Sequence, residues 1–274
     1  MTPEEAQRQP LARDRWQPVS VCTLTWRDPL RWLRAGWADI ERCPAVSLSY
    51  GSMFTLVAWA FALSAVRSPE YTLMLASTVL LMGPALAMGL VQASRSCSIG
   101  VEAKLRSCLV CWWQTKSSMA IFAGLLLVIE LLWARTSLLV FALFSDNLVP
   151  TTNLLSMVLD GANRSFMVAY GCASAGFALL AFGMSAVALP LMLDRPAADA
   201  ITAAITSLRA CLEHPAVMLW WALLVATISL LAMLPLGLGL LVAWPLIGHA
   251  SWHAYRGIVC PQSLSRLAPL QSDC

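Results

Sequence analysis

The fold is decided by apolar stretches such as LGLGLLVAWPLIGHASWHAY at residues 236–255, the last of six in the chain. A helix of about 20 residues crosses a hydrocarbon layer of about 30 Å, and this stretch has that length. The other five occupy residues 45–66, 71–94, 118–138, 166–192 and 215–234. We therefore expect an all-α integral membrane protein with six transmembrane helices arranged as three hairpins.

The composition excludes an ordinary soluble domain. Of the 274 residues, 59% are hydrophobic and 12% are charged, whereas about a quarter are charged in typical globular proteins. Because a strand or loop facing lipid would leave N–H and C=O groups unpaired, the apolar runs are expected to be helical. Pro84, Pro190, Pro235 and Pro245 then mark kinks or helix ends. A net charge of +3 does not favour nucleic acid as a partner, so the expected partner is the lipid bilayer.

The cationic residues predict the orientation. Fifteen of the 18 Lys and Arg residues fall on one side of this topology, leaving Arg67, Arg135 and Arg164 on the other. Since cationic short loops stay in the cytoplasm, both termini are predicted to be cytoplasmic, in a bacterial inner membrane. Polar tails at 1–26 and 259–274 would flank a membrane domain at 27–258, and no cleavable signal sequence is expected. Eight of the nine cysteines fall on the cytoplasmic side, where thiols stay reduced, so no disulfide is expected.

Three amphipathic helices are predicted on the cytoplasmic side, each leading directly into a span. They lie at about 29–43, 100–114 and 197–213, with apolar residues at helical spacing on one face and charged residues on others. Helices of this kind lie in the plane of the headgroups. We therefore expect each hairpin to be preceded by an interfacial helix.

This combination of interfacial helix and hairpin occurs three times, at about 27–95, 99–195 and 196–256, and so predicts an internal repeat. The segment ERCPAV at 41–46 is similar to EHPAV at 213–217. The middle unit departs from the pattern because its hairpin contains a long outer insertion.

Three histidines are candidate ligands. His249 and His253 are four residues apart, so they share one face of a helix and are able to meet one metal ion or a haem. His214 begins the fifth span at a similar depth. The alternative is that the histidines are polar anchors that bond to carbonyls or headgroups, because no obvious fourth ligand accompanies them.

Glu130 is the single acidic residue within a predicted span. Ionisable residues at such depth are costly and are often functional, so a role in proton or cation transport is one interpretation. The alternative is structural: Glu130 reaches outward or pairs with Arg135 or Arg67. Beyond it, residues 135–163 form the outer insertion, and a third span running unbroken to Phe144 would have to tilt, protrude or break.

Two further features have the residue types of a site. Cys108 and Cys111 have the spacing of a redox or metal motif, but they equally suit the apolar stripe of the second amphipathic helix. Asp194 and Arg195 are interpreted as the charged end of the fourth span. No complete catalytic constellation is recognised, so an enzyme is not expected.

Three blocks carry a resemblance to a known family: DPLRWLRAGWADI at 28–40, LPLMLDR at 189–195 followed by ITSLRA at 205–210, and GHASWHAYR at 248–256. Here the chain resembles the bacterial integral membrane proteins of domain of unknown function 2189. The resemblance extends over about 27–258, and it departs at Ser251, where the family usually has Thr. It implies a multi-span inner-membrane fold without an assigned activity and supplies no catalytic residues.

Three functions remain open at this point. The first is a non-catalytic accessory or assembly partner of a membrane complex, with the interfacial helices and the outer insertion as contact surfaces. The second is a haem- or metal-binding membrane protein using His249 and His253. The third is a transporter of a small solute or lipid with Glu130 in its path.

Overall fold

Most of the described chain is helical. A computed structural model describes residues 21–67, 86–144, 163–195 and 198–260. These residues contain no β-strand, only an isolated bridge between Val21 and Val259, so the all-α prediction is confirmed. Most of the predicted span at 71–94 and most of the outer insertion lie outside the described residues.

The helices follow the predicted order closely. They are α1 (Asp28–Arg42), α2 (Pro44–Arg67), α3 (86–98), α4 (Leu105–Val110), a 3-10 helix (Cys111–Thr115), α5 (Lys116–Phe144), α6 (Arg164–Ser185), α7 (Ala188–Asp194), α8 (Ala200–Glu213), α9 (Pro215–Met233) and α10 (Leu240–Ile258).

Four segments of the described chain are long and apolar enough to cross a membrane. They are Pro44–Ser64, Lys116–Phe144, Arg164–Asp194 and Pro215–Met233. Only 22% to 39% of the residues in their apolar windows are buried inside the protein, so most of each surface is available to lipid. The protein is therefore a multi-pass membrane protein. Helix α10, the predicted sixth span, is not among these segments because polar side chains occupy its second half.

Helix α10 runs antiparallel to α2. At one end His249 bonds to Ser47, in the middle Trp244 stacks on Phe54 with ring centroids 4.9 Å apart, and at the far end the Trp59 indole N–H donates to the Leu236 carbonyl oxygen over 2.7 Å. The end at Ser47 and His249 is called the polar end below. Helix α10 thus packs alongside α2, which contains one of the four long apolar segments.

A serine from α8 maintains the break between α6 and α7. The Val187 N–H donates to the Ser207 hydroxyl over 3.0 Å, and that hydroxyl donates to the Gly183 carbonyl over 2.7 Å. The hydroxyl thus replaces the direct helical hydrogen bond between the two backbone groups. Pro190, which has no N–H to donate, lies three residues after Val187 in the first turn of α7. The predicted interruption of the helix near Pro190 is therefore confirmed.

The structure repeats the first unit in the third. Cys43 ends α1 with φ −131° and ψ 60°, and His214 ends α8 with φ −130° and ψ 58°. A proline begins the next helix in both cases. The buried positions correspond as well: Pro29, Trp32, Gly36 and Asp39 of α1 match Ala200, Ala203, Ser207 and Ala210 of α8. The correspondence covers the first helix of the two units and the start of the helix that follows it; for the rest of the units the repeat stays a prediction.

The prediction that no disulfide forms is wrong. Cys22 and Cys260 are joined by a disulfide, with Cα atoms 5.3 Å apart, and the Cys22 N–H donates to the Ile258 carbonyl over 2.8 Å. The prediction assigned a compartment to each thiol separately. The sequence does not reveal that the segment before α1 pairs with the segment after α10.

Candidate functional site

The polar end of the bundle contains a cluster of four buried residues, Asp39, Ser47, Ser94 and His249, together with the partly exposed His253; it is called the His249 cluster below. It forms where α1, α2, α3 and α10 meet, and α10 brings both of its histidines to it because residues four apart lie on one helical face. The site uses the GHASWHAYR block and the last part of the DPLRWLRAGWADI block.

Glycines allow these helices to approach closely. A side chain at Gly36 of α1 would lie 2.8 Å from the Ala250 backbone nitrogen of α10. A side chain at Gly248 would meet Leu90 of α3 at 2.6 Å. Any larger residue at either position would separate the helices, so the small residues set the distances within the His249 cluster.

His249 is completely buried, and both of its ring nitrogens have partners. Nε2 lies 2.9 Å from the Ser47 hydroxyl oxygen, and Nδ1 lies 2.6 Å from that of Ser94. The Ser47 hydroxyl also donates to the Cys43 carbonyl over 2.9 Å. The imidazole therefore connects α2 to α3 through two hydrogen bonds.

Asp39 is also buried, with 1% of its surface exposed. Its Oδ2 accepts a hydrogen bond of 2.8 Å from His253 Nε2, and its Oδ1 lies 3.5 Å from Arg42. Burial opposes ionisation of this carboxyl, but the hydrogen bonds from His253 and Ser94 outweigh that effect and hold the pKa of Asp39 below its ordinary value. The ionised carboxylate thus links α1 to α10.

A chain of hydrogen bonds connects the two histidines: His249 bonds to the Ser94 hydroxyl, Ser94 reaches Asp39, and Asp39 bonds to His253. The Ser94 hydroxyl has one proton, and both His249 Nδ1 and the Asp39 carboxylate lie within reach. With Ser47 donating to Cys43, a neutral His249 donates from Nε2 to Ser47 and accepts from Ser94 at Nδ1. A protonated His249 donates from both nitrogens and leaves the Ser94 proton to Asp39. The arrangement couples the protonation of His249 to the hydrogen bonding of Asp39.

A second polar contact lies beside the cluster. The Tyr255 hydroxyl donates to Asp194 over 2.8 Å, and Arg95 lies 3.8 Å from the same carboxylate. Asp194 ends α7, as predicted, and in addition it fixes α7 to α10 and α3. The Arg195 N–H closes α7 by donating to Leu191 over 2.8 Å.

The three histidines do not form one ligand set. Among the residues that the structure describes, no group of three or more His, Cys, Asp or Glu side chains is placed to hold a metal ion. His214 lies at the junction of α8 and α9, whereas His249 and His253 bond within the His249 cluster. The predicted grouping of His214 with the other two is therefore not found.

Glu130 and Arg135 lie on the exposed surface of α5. Glu130 forms no ion pair with Arg135 or with Arg67 in the described part of the chain, so the predicted pairing is not found. The helix continues unbroken past both residues to Phe144.

Cys108 and Cys111 are free thiols at the end of α4 and the start of the 3-10 helix. Burial raises the pKa of Cys108 to about 11 and that of Cys111 to about 12. The Cys111 thiol donates to the Cys108 carbonyl over 3.1 Å. Both groups are consequently protonated thiols packed between helices. They resemble small apolar residues of a helix stripe more than a redox or metal motif.

Sequence reasoning missed the residues that complete the site, namely Asp39, Ser47, Ser94 and Tyr255. The sequence contained one signal, because the repeat aligns Asp39 with the apolar Ala210. A carboxylate at a position that is apolar in the other unit is expected to be buried and therefore to need a hydrogen-bonding partner. The serines gave no signal because a serine in an apolar helix usually bonds to its own backbone.

Comparison with known proteins agrees with the membrane fold. Residues 72–194 match the model of the family described as predicted integral membrane protein (DUF2189). The predicted resemblance is thereby confirmed over this part of the chain, which includes most of the LPLMLDR block. The blocks at 28–40 and 248–256 lie outside the matched residues. The chain matches no curated protein and no solved structure.

Proposed function

We propose that this multi-pass membrane protein is a non-catalytic accessory or assembly subunit of a larger bacterial inner-membrane complex. In this proposal the chain crosses the bilayer six times with both termini on the same side of it, and a partner protein binds the outer end of α5. The His249 cluster holds the helices together and takes no part in chemistry.

The length of α5 supports the proposal. Its 29 residues extend about 43 Å, whereas the hydrocarbon core is about 30 Å thick. To lie wholly within the hydrocarbon core, α5 would have to tilt by about 45° from the bilayer normal. Transmembrane helices tilt by about 20° on average. Counted from Lys116, about 20 residues reach Arg135, so residues 136–144 extend beyond the core.

This extension is apolar and exposed, which is the observation that carries the proposal. Leu138, Leu139, Phe141 and Leu143 are 54% to 70% exposed. Phe141 and Phe144 pack on Phe166 of α6, so the extension is anchored to the rest of the bundle. An anchored apolar surface outside the hydrocarbon is typical of a protein contact.

Two observations favour six crossings. Val21 bridges Val259, so the segments before α1 and after α10 lie on the same side, which requires an even number of crossings. Helix α10 accompanies α2 from Ser47 to Trp59, and neighbouring helices at one depth are expected to cross together.

The haem or metal hypothesis and the transporter hypothesis have less support. A haem or metal at His249 would have to displace one of its two serine partners, and a solute path along Glu130 would run over the exposed face of α5. We therefore favour the accessory role.

Photo-crosslinking in intact membranes tests the proposed accessory role. A photoreactive phenylalanine analogue replaces Leu139 or Leu143 in the extension, and Leu131 serves as the matched control because it is 58% exposed, against 59% for Leu139, on the same helix. We expect one discrete protein adduct from both extension sites, with the same partner identified by mass spectrometry, and none from Leu131. Absence of a protein adduct at both extension sites would refute the proposal.

A further inference from the structure

A cleft opens at the polar end between α3, α7 and the α4 region. It has a volume of about 460 Å³ and is lined by Gln92, Arg95, Ser107 and Thr115, among others. A second cleft of about 370 Å³ adjoins it, contains Lys104 and Arg106, and has Ser107 and Val110 in common with the first. The two form one continuous groove, called the α4 groove below.

The α4 groove is positively charged. Arg95 makes its one ion pair with Asp194 at the long distance of 3.8 Å, and the exposed Lys104 and Arg106 pair with no carboxylate among the described residues. Among the described residues, neither part of the groove is lined by a carboxylate: Asp194 contacts Arg95 from beside it, and Glu102 lines a neighbouring cleft with Arg42. Three cations therefore line the groove in the described part of the chain.

The outer surface of α4 and the 3-10 helix is apolar. Leu105, Leu109, Val110 and Trp113 are 40% to 57% exposed, and the Lys116 ammonium lies 4.7 Å above the Trp113 ring. A short helix with an exposed apolar stripe and neighbouring cations, directly before a membrane span, lies at the level of the lipid headgroups. The α4 groove thus opens at the depth where lipid phosphates occur.

We propose that the α4 groove binds the phosphate of an anionic phospholipid. The Arg95 guanidinium and the Gln92 amide supply directional donors inside the groove, while Lys104 and Arg106 add positive charge at its mouth. The acyl chains extend along the exposed stripe of Leu105, Leu109 and Trp113. That stripe favours a lipid over free phosphate, because free phosphate gains nothing from apolar contact. The proposal is independent of the accessory role.

The test uses the full-length protein in a neutral detergent, titrated with phosphatidylglycerol and followed by native mass spectrometry. Phosphatidylcholine with the same acyl chains and inorganic phosphate are the comparison ligands. The test variant is Lys104→Gln with Arg106→Gln. The matched control is Arg27→Gln with Arg34→Gln, which removes two exposed charges that form no ion pair among the described residues. Because both pairs are exposed, thermal unfolding is expected to be unchanged and serves as a check on folding.

We expect saturable binding of phosphatidylglycerol, with weaker binding of phosphatidylcholine and no displacement by inorganic phosphate. Each removed charge should weaken the binding about fivefold, so the α4 double variant should bind about 25-fold more weakly than the control variant. Equal binding of both lipids, or equal losses in the two variants, would overturn the site. Inorganic phosphate binding as tightly as the lipid would overturn the lipid assignment. If the α4 variant proves unstable, Arg95→Lys provides the test, since losing the fork of donors should still weaken lipid binding.

Discussion

Replacing His249 with leucine separates the two interpretations of the histidines. The change removes the hydrogen bonds of 2.9 Å and 2.6 Å to Ser47 and Ser94. Neither serine is left without a partner, since Ser47 retains the Cys43 carbonyl and Ser94 retains Asp39. The loss is therefore limited to two hydrogen bonds at about 0.5 to 1.5 kcal/mol each, and the free energy of unfolding should fall by about 1 to 3 kcal/mol.

His214→Leu is the control for this measurement. His214 is partly exposed at the junction before α9, so its replacement should change the free energy of unfolding by less than about 0.5 kcal/mol. Reversible unfolding of both variants in mixed detergent micelles gives the two values, and a visible spectrum and metal analysis of each preparation accompany them. Equal stability losses, or a metal or haem lost from His249→Leu alone, would refute the structural role of His249.

Three further outcomes are expected. Ser207→Ala should lower the free energy of unfolding by about 2 kcal/mol, because two buried backbone groups lose their bridging hydroxyl. Ser52→Ala, on an exposed face of α2, is the control and should change it little. Equal losses in the two variants would contradict the bridge. Cys22 and Cys260 should resist alkylation until a reductant is added, and Cys22→Ser should expose Cys260 to the reagent. Because six other thiols of the described chain are free, peptide mass spectrometry must locate the label, and a label on Cys22 or Cys260 of the untreated protein would contradict the disulfide. The pKa of ionised Asp39 is lowered from the ordinary 3.8, so its stabilisation should be complete above that pH and lost as the pH falls through the lower folded-state value. Thermal unfolding between about pH 6 and pH 3 should accordingly be less pH-dependent in Asp39→Asn.

The helices were predictable because the bilayer demands long apolar runs. Pro44–Arg67 and Pro215–Met233 match the predicted spans to within two residues at each end, since a proline starts each helix and the apolar run limits its length. Helix α10 is a predicted span that is not among the four long apolar segments of the described chain. It packs against α1 and α2, so its polar side chains are satisfied by neighbours that a count of apolar residues does not see.

The site was predictable only in part. The spacing of His249 and His253 placed both on one face, and the structure confirms that they lie in one polar cluster. Their partners come from positions far away along the chain, including Asp39 and Ser94. Contacts of such separation depend on how helices pack, and no local pattern specifies them. The same limit concealed the pairing of Tyr255 with Asp194.

A double-mutant cycle between Asp39 and His253 tests the central claim, that the His249 cluster joins α1 to α10. The contact of 2.8 Å connects a buried carboxylate to an imidazole, and hydrogen bonds to charged groups contribute about 1.5 to 3 kcal/mol. Unfolding of Asp39→Asn, His253→Gln and the double variant should show a coupling free energy in that range. Additive losses, with coupling below about 0.5 kcal/mol, would contradict the contact and the packing of the two helices on which the account depends.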